Sequence, residues 1–392
     1  MGSQNVGGIM GATFDKMKPY LAMISLQFGY SGMHIITLIS FKHGFSHWIF
    51  VVYRHAVATL VFVPSAYFIE KKIRPKMTKS IFLKIMVLAF LEPVLDQNLY
   101  GMGLKYTSAT FAAASVNVLP AVTFVMAVIF RMEKVNLKKV PSLAKVIGTL
   151  ITVAGAMVMT LYKGPIVKFL VYSHGGSHHE AASSAAGQHW IAGTIMSLGC
   201  IVGWAAFFIL QNNTLKDYPA PLSLSALVCL LGTVEGGIVA GIMERHKSAW
   251  AIGFDSRLLA AAYSGLVCSG IAYYVQSVVN KLRGPVFVTA FSPLSMIITA
   301  ILGSIILAEQ LHVGSLIGAV IIVSGLYSVV WGKSKEKSDS SKLSWDEGGA
   351  VQELPVVMDH KNIQGTVDAD IIHEITVKSK INHHKDFLQQ DP

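Results

Sequence analysis

Charge is what this chain has least of. Asp, Glu, Lys and Arg make up 14% of its 392 residues, against roughly 25% in an ordinary soluble domain, too little to cover a water-facing surface. Cysteine is scarce as well. Cys200, Cys229 and Cys268 all fall inside apolar runs and read as small buried hydrophobes, so neither a disulfide framework nor a metal cluster is suggested. There is no Walker-type glycine loop, so ATP-driven transport by this chain alone is disfavoured. No serine has an elbow motif and His55 beside Arg54 forms no legible nucleophile arrangement. The expectation is therefore no enzyme, no cofactor and no metal. A net charge of +10 would suit nucleic acid, but the basic residues collect at the ends of apolar runs, where they report topology instead.

What the chain does have is long apolar runs, with 53% hydrophobic residues and 34 glycines. That composition predicts an all-α polytopic membrane protein. Ten spans are expected, near 20–39, 48–69, 81–104, 109–130, 143–162, 190–210, 222–243, 258–279, 285–307 and 313–331. The first is too long for a signal-peptide core and lacks a clear cleavage site, so it should remain as a helix. Counting Lys and Arg on alternate connecting segments gives seventeen on the side of Lys71, Lys72 and Arg74 against seven on the other. The excess predicts that both termini are cytosolic. The single N-glycosylation sequon, at Asn212, then lies at a cytosolic helix end.

The chain also repeats itself. Residues 147–158, IGTLITVAGAMV, align with 317–328, IGAVIIVSGLYS, pairing Gly148 with Gly318 and Gly155 with Gly325 at an offset of 170. Pro120 and Pro293 pair at an offset of 173, as do Tyr100 and Tyr273. Each unit holds five spans, and an odd number forces the second unit into the membrane upside down, the usual architecture of an alternating-access secondary transporter. The expected division is a cytosolic segment 1–17, a first five-helix repeat 18–163, a His-, Ser- and Gly-rich linker 164–189, a second repeat 190–332 and a disordered cytosolic tail 333–392.

Polar residues inside spans are costly and therefore informative: Gln27, Arg54, His55, Glu92, Asp96, Asn98, Asn117, Glu235 and Gln276. Asn117 and Pro120 mark an irregular point near mid-membrane, either helix-to-helix glue with a kink or the wall of a substrate cavity. Glu92 and Asp96, four apart, share one face of an α-helix and read as a protonatable pair or as a capped structural network. Arg54 lies about two turns inside its span, close enough to snorkel and equally able to attract a substrate carboxylate. Glu235, flanked by glycines, is a packing hydrogen bond or a coupling group. Pro120, Pro293, Gly148, Gly155, Gly318 and Gly325 are the helix-breaking and close-packing candidates.

Several stretches carry a family resemblance: Tyr53-Arg54, 100–104 (YGMGL), 107–112 (TSATFA), 117–124 (NVLPAVTF), 130–135 (FRMEKV), 161–165 (LYKGP), 218–220 (YPA), 283–288 (RGPVFV), and 293 through 307–309 (LAE) into 317–319 (IGA). In combination, over about 18–335, they resemble the plant nodulin-21-like, Walls-Are-Thin-related or UMAMIT family. The resemblance implies a drug/metabolite-transporter fold with two EamA-like halves around a central cavity. It also implies carriage of amino acids, as exporter or bidirectional carrier, with auxin or a related indole as the alternative substrate and a non-transporting receptor or scaffold as a further one. Gln27, Arg54, Asn98, Tyr100, Asn117 and Gln276 become substrate-binding candidates, and Glu92, Asp96 and Glu235 coupling or gating candidates. Asp96 departs from the family habit of an uncharged residue at that point. Expected partners are a small amino acid or indole carboxylate, the lipid bilayer and, as a candidate coupling ion, the proton; no nucleic acid is expected. The plasma membrane is expected ahead of the vacuolar one.

Overall fold

The computed structural model describes residues 3–42, 44–107, 115–133, 135–136, 138–162, 164–165, 190–306 and 312–346. The histidine-bearing stretch 166–189 and the tail after 346 lie outside them. Every regular element described is a helix. In order these are α1 (Ser3–Lys42), α2 (His47–Ile69), α3 (Lys79–Ala89), a π-helical segment (Phe90–Asp96), α4 (Gln97–Tyr106), α5 (Leu119–Ile129), α6 (Val140–Leu161), α7 (Trp190–Asp217) and α8 (Pro221–Met243). After a 3-10 turn (Lys247–Trp250) come α9 (Ser256–Tyr263), a second π-helical segment (Ser264–Ile271), α10 (Ala272–Arg283), α11 (Pro285–Ala290), α12 (Ser292–Ile306) and α13 (Val313–Asp346).

Among the described residues, eight runs are long and apolar enough to cross a membrane: Met17–Phe41, His47–Ile69, Val140–Leu161, Ile191–Asp217, Pro221–Met243, Ser256–Arg283, Pro285–Ile306 and Val313–Glu336. The expected third span falls on the continuous helical run α3–π–α4, which carries Glu92, Asp96 and three lysines and is not among these eight. Of the expected fourth, the helix Leu119–Ile129 is described and 108–114 are not. At the two ends the helices run further than anticipated. α1 begins at Ser3, ahead of the polar segment's expected boundary, and α13 continues to Asp346, past Gly332 where the second repeat was expected to close.

The distribution of polarity is inverted relative to a soluble protein. Leu60, Phe68 and Ile191 are at least 75% exposed, whereas Gln27, Arg54, His55, Glu92, Asp96 and Asn117 are buried. Lipid solvates the outer apolar surface, so the polar groups must find one another inside.

Both prolines of the repeat begin helices. Pro120 occupies the first turn of α5, after a turn at Asn117–Val118, and Pro293 the first turn of α12, after a break at Phe291. A proline in the first turn surrenders an N–H that has no intrahelical partner anyway. The irregularity expected at Asn117–Pro120 is present, as a helix start in place of a kink.

Contacts between α6 and α13 are made by the paired glycines. A Cβ on Gly148 would lie 2.8 Å from Gly325 O, and one on Gly318 would lie 2.7 Å from Gly155 O. Without side chains the backbones approach closely, and dispersion, the main attraction left between helices in lipid, is maximised. At the end of this seam Lys145 Nζ reaches Glu133 Oε1 and Glu336 Oε2, both at 2.7 Å, and Lys333 Nζ reaches Glu133 Oε2 at 2.5 Å. Two cations and two anions thus neutralise one another around a lysine that is wholly buried.

Candidate functional site

The two π-helical segments position the site. In a π-helix the carbonyls bond five residues on, so each turn takes up an extra residue, and side chains five apart come to face each other. That is how Gln97 meets Glu92: its Nε2 donates to Glu92 Oε1 at 3.1 Å and to Asp96 Oδ2 at 3.3 Å. With its amide nitrogen on two carboxyls, Gln97 turns its oxygen to Arg54, whose Nη1 donates to Oε1 at 3.3 Å. From the second π-helical segment, Ser269 Oγ accepts from Arg54 Nε at 2.6 Å. Arg54 Nη2 faces Glu92 Oε1 at 4.0 Å, an ion pair too long for a direct hydrogen bond.

Surrounding groups hold this cluster. Cys200 Sγ, on α7, donates to Asp96 Oδ1 at 2.8 Å. His47 Nε2 lies 2.7 Å from Gln97 O and His55 Nδ1 2.7 Å from Val51 O; since a carbonyl only accepts, these nitrogens carry the protons. His55 Nε2 is left to accept from Tyr273 OH at 3.4 Å. Gly232 of α8 packs against Pro93, where a Cβ would sit 2.6 Å from the ring's Cβ. Large side chains there would push α8 off the first π-helical segment.

Arg54 therefore does not snorkel. At 2% exposure it points inward and joins both parts of the chain. Two capacities in the cluster stay open among the described residues: Nη2 makes no direct hydrogen bond, and Glu92 Oε2 is buried without a partner. A guanidinium edge that donates and a carboxylate oxygen that accepts are the two complements of a zwitterion.

The other residues singled out from sequence distribute around this centre. Asn98 Nδ2 returns to Val94 O at 2.7 Å, taking up a carbonyl of the π-helical turn, while its Oδ1 is buried and unpartnered among the described residues. Tyr100, one turn after Asp96, is half-buried. Asn117 Nδ2 lies 2.6 Å from Met296 Sδ on α12, and Gln276 Nε2 donates to Tyr30 OH on α1 at 3.0 Å. Gln27 is buried on α1. Glu235 is half-buried on α8 with Oε2 unpartnered among the described residues. Gln97, Ser269 and Cys200 were not anticipated as partners. Serine and cysteine are cheap in hydrocarbon and do not stand out from an apolar run, and Gln97 falls off the Glu92 face in any α-helical reading.

Comparison with known proteins identifies the family. The EamA-like transporter family matches residues 17–161 and 191–331. Three WAT1-related proteins of Arabidopsis thaliana are 57%, 57% and 60% identical over 91%, 91% and 82% of this chain and 95%, 95% and 85% of their own lengths. A crystal structure at 15% identity superposes with a TM-score of 0.62, covering 80% of this chain and 98% of that one, a likeness of fold alone. The chain belongs to the EamA-like transporter family, among its WAT1-related members, and is a transmembrane transporter, not an enzyme.

Proposed function

We propose that the protein carries a small zwitterionic amino acid by alternating access. The observation that carries this reading is the pair of open capacities at the cluster: Arg54 Nη2 for the carboxylate and Glu92 Oε2 for the ammonium group. Both are buried, so the interaction is little screened by solvent. Tyr100 and Asn117 supply further hydrogen bonds, and Asp96, bridged to Glu92 through Gln97, is the second carboxyl through which a proton could be exchanged with substrate.

The architecture proposed with it is ten spans in two inverted five-helix repeats, with both termini cytosolic. Three observations support the inversion. α2 and α8 have equal length and are displaced by 174 residues at both ends, His47 to Pro221 and Ile69 to Met243. The two π-helical segments begin at the same displacement, Phe90 to Ser264. In the α6–α13 seam Gly148 meets Gly325 while Gly155 meets Gly318, the reciprocal pattern of a pseudo-two-fold axis between antiparallel helices.

Counterflow of labelled amino acids and of indole-3-acetate in proteoliposomes tests the substrate. An amino-acid carrier loses exchange in both Arg54→Gln and Glu92→Gln. An auxin carrier, whose substrate has no ammonium group, loses it in Arg54→Gln and keeps it in Glu92→Gln. Binding without exchange of either class would replace transport by a receptor role.

A further inference from the structure

Two glutamates outside the site occupy equivalent places in the pseudo-repeat. Glu70 is the residue that ends α2 and Glu244 the residue that ends α8, at the same displacement of 174 as the helices themselves. Each reaches the start of the other helix. Glu70 Oε1 accepts from Leu222 N at 3.1 Å and its Oε2 from Ser223 N at 2.6 Å, filling two of the N–H groups that a helix start leaves open. α8 needs this from outside, because its own N-cap residue, Ala220, has no side-chain acceptor. At the opposite end Ser46, the N-cap of α2, makes no capping bond to its own helix. Its hydroxyl donates to Glu244 Oε2 at 2.9 Å instead.

α2 and α8 are thus tied at both ends by carboxylates exchanged between them, and a 23-residue helix separates the two ties by about 34 Å at 1.5 Å per residue, the thickness of a bilayer core. One tie lies at the end rich in Lys71, Lys72 and Arg74, the other at the opposite face. They are unequal. Glu70 is buried and makes two bonds to backbone, while Glu244 is partly exposed and makes one to a hydroxyl, seconded by Tyr53 OH donating to Trp250 O at 2.8 Å.

We propose that Glu70 and Glu244 are a matched pair of gate latches, one at each membrane face, released in alternation as α2 and α8 separate, with the Glu70 latch the tighter in this conformation. The proposal rests on the alternating-access reading. Hydrogen bonds to a carboxylate are about twice as strong as neutral ones, yet a backbone donor at a helix start can turn to water when released. A latch of this kind is firm and also reversible. An ammonium partner would be harder to free from a low-dielectric helix end.

Pulsed electron spin resonance on the full chain in nanodiscs tests it, using labelled cysteines at Lys72 and Lys216 for one face and at Trp48 and Arg245 for the other; the native cysteines are buried. Glu70→Ala is expected to shift the Lys72–Lys216 distances to longer values and leave the other pair unchanged. Ser46→Ala and Glu244→Ala are expected to do the converse, and Glu70→Asp to restore part of the wild-type distribution. A capping role alone would lower the melting temperature without moving either distribution, and that result overturns the proposal. So does lengthening at both faces in every variant, which is general loosening. Inert distances with full amino-acid counterflow would remove the latches and leave the transport reading standing. Face-specific shifts in a protein that exchanges no amino acid would support the latches and remove the amino-acid reading.

Discussion

At Arg54 the guanidinium carries more than charge. Two of its directions are spent, on Ser269 and on Gln97, and the third is left open beside Glu92; only a planar fork can serve all three. Arg54→Lys keeps the cation and loses the fork, so the KM for the proposed amino-acid substrate should rise about tenfold or more, in line with ~1.5–3 kcal/mol for a hydrogen bond to a charged group, as measured by counterflow at graded substrate. Cys200 offers a cleaner structural test. Cys200→Ser keeps a donor for Asp96 Oδ1, whereas Cys200→Ala strands a buried acceptor and should cost about 1–3 kcal/mol of stability, read as a lower apparent melting temperature for Ala than for Ser. Arg54, Glu92 and Asp96 were legible in the sequence because ionisable groups in hydrocarbon are rare. Their true partners were not, since no local pattern announces that Ser269 or Cys200 will fold back onto a residue 215 or 104 positions away.

Among the helices, those with uninterrupted apolar runs, α2, α6, α7 and α8, lie where hydrophobicity placed them. The third span was harder to read, because a π-helical turn changes the phase of everything after it and composition alone does not reveal the extra residue. Pro120 and Pro293 were visible as breaks, but whether a proline kinks a helix or opens one depends on the residues before it, here a turn and a break. The glycine pairing at an offset of 170 was legible and is built into the α6–α13 seam. Gly148→Leu should therefore overpack it at a cost of about 1–3 kcal/mol or more. Gly237→Ala, on α8, would meet nothing within 4 Å and should be neutral or slightly stabilising, since alanine is the better helix former. Melting of the two purified variants side by side separates a packing glycine from a tolerated one.

For the molecule as a whole, the lysine and arginine count makes a prediction that Asn212 can check. Its Nδ2 donates to Asn280 O at 2.7 Å, engaging the sequon's own amide in a contact between α7 and α10. Glycosidase treatment should leave the electrophoretic mobility of the native protein unchanged, and a glycan on Asn212 would reverse the proposed orientation. The charge cluster around Lys145 behaves differently from every surface pair. Lys145→Met should leave Glu133 and Glu336 with one cation fewer, Lys333 still holding Glu133, and cost up to about 3–5 kcal/mol, the scale for breaking a buried ion pair from one side. Mobile ions act only where they can come close, and at 0.15 M they mute exposed charges beyond about 8 Å while barely reaching buried ones. The Lys84–Asp217 bridge, with side chains 27% and 50% exposed, should dissolve in concentrated KCl, but the Lys145–Glu133 bridge, with side chains 0% and 5% exposed, should not. The seam between α6 and α13 would then hold from dilute to concentrated salt, and a denaturation midpoint that falls steeply with ionic strength in the wild type, but not in Lys145→Met, would contradict that independence.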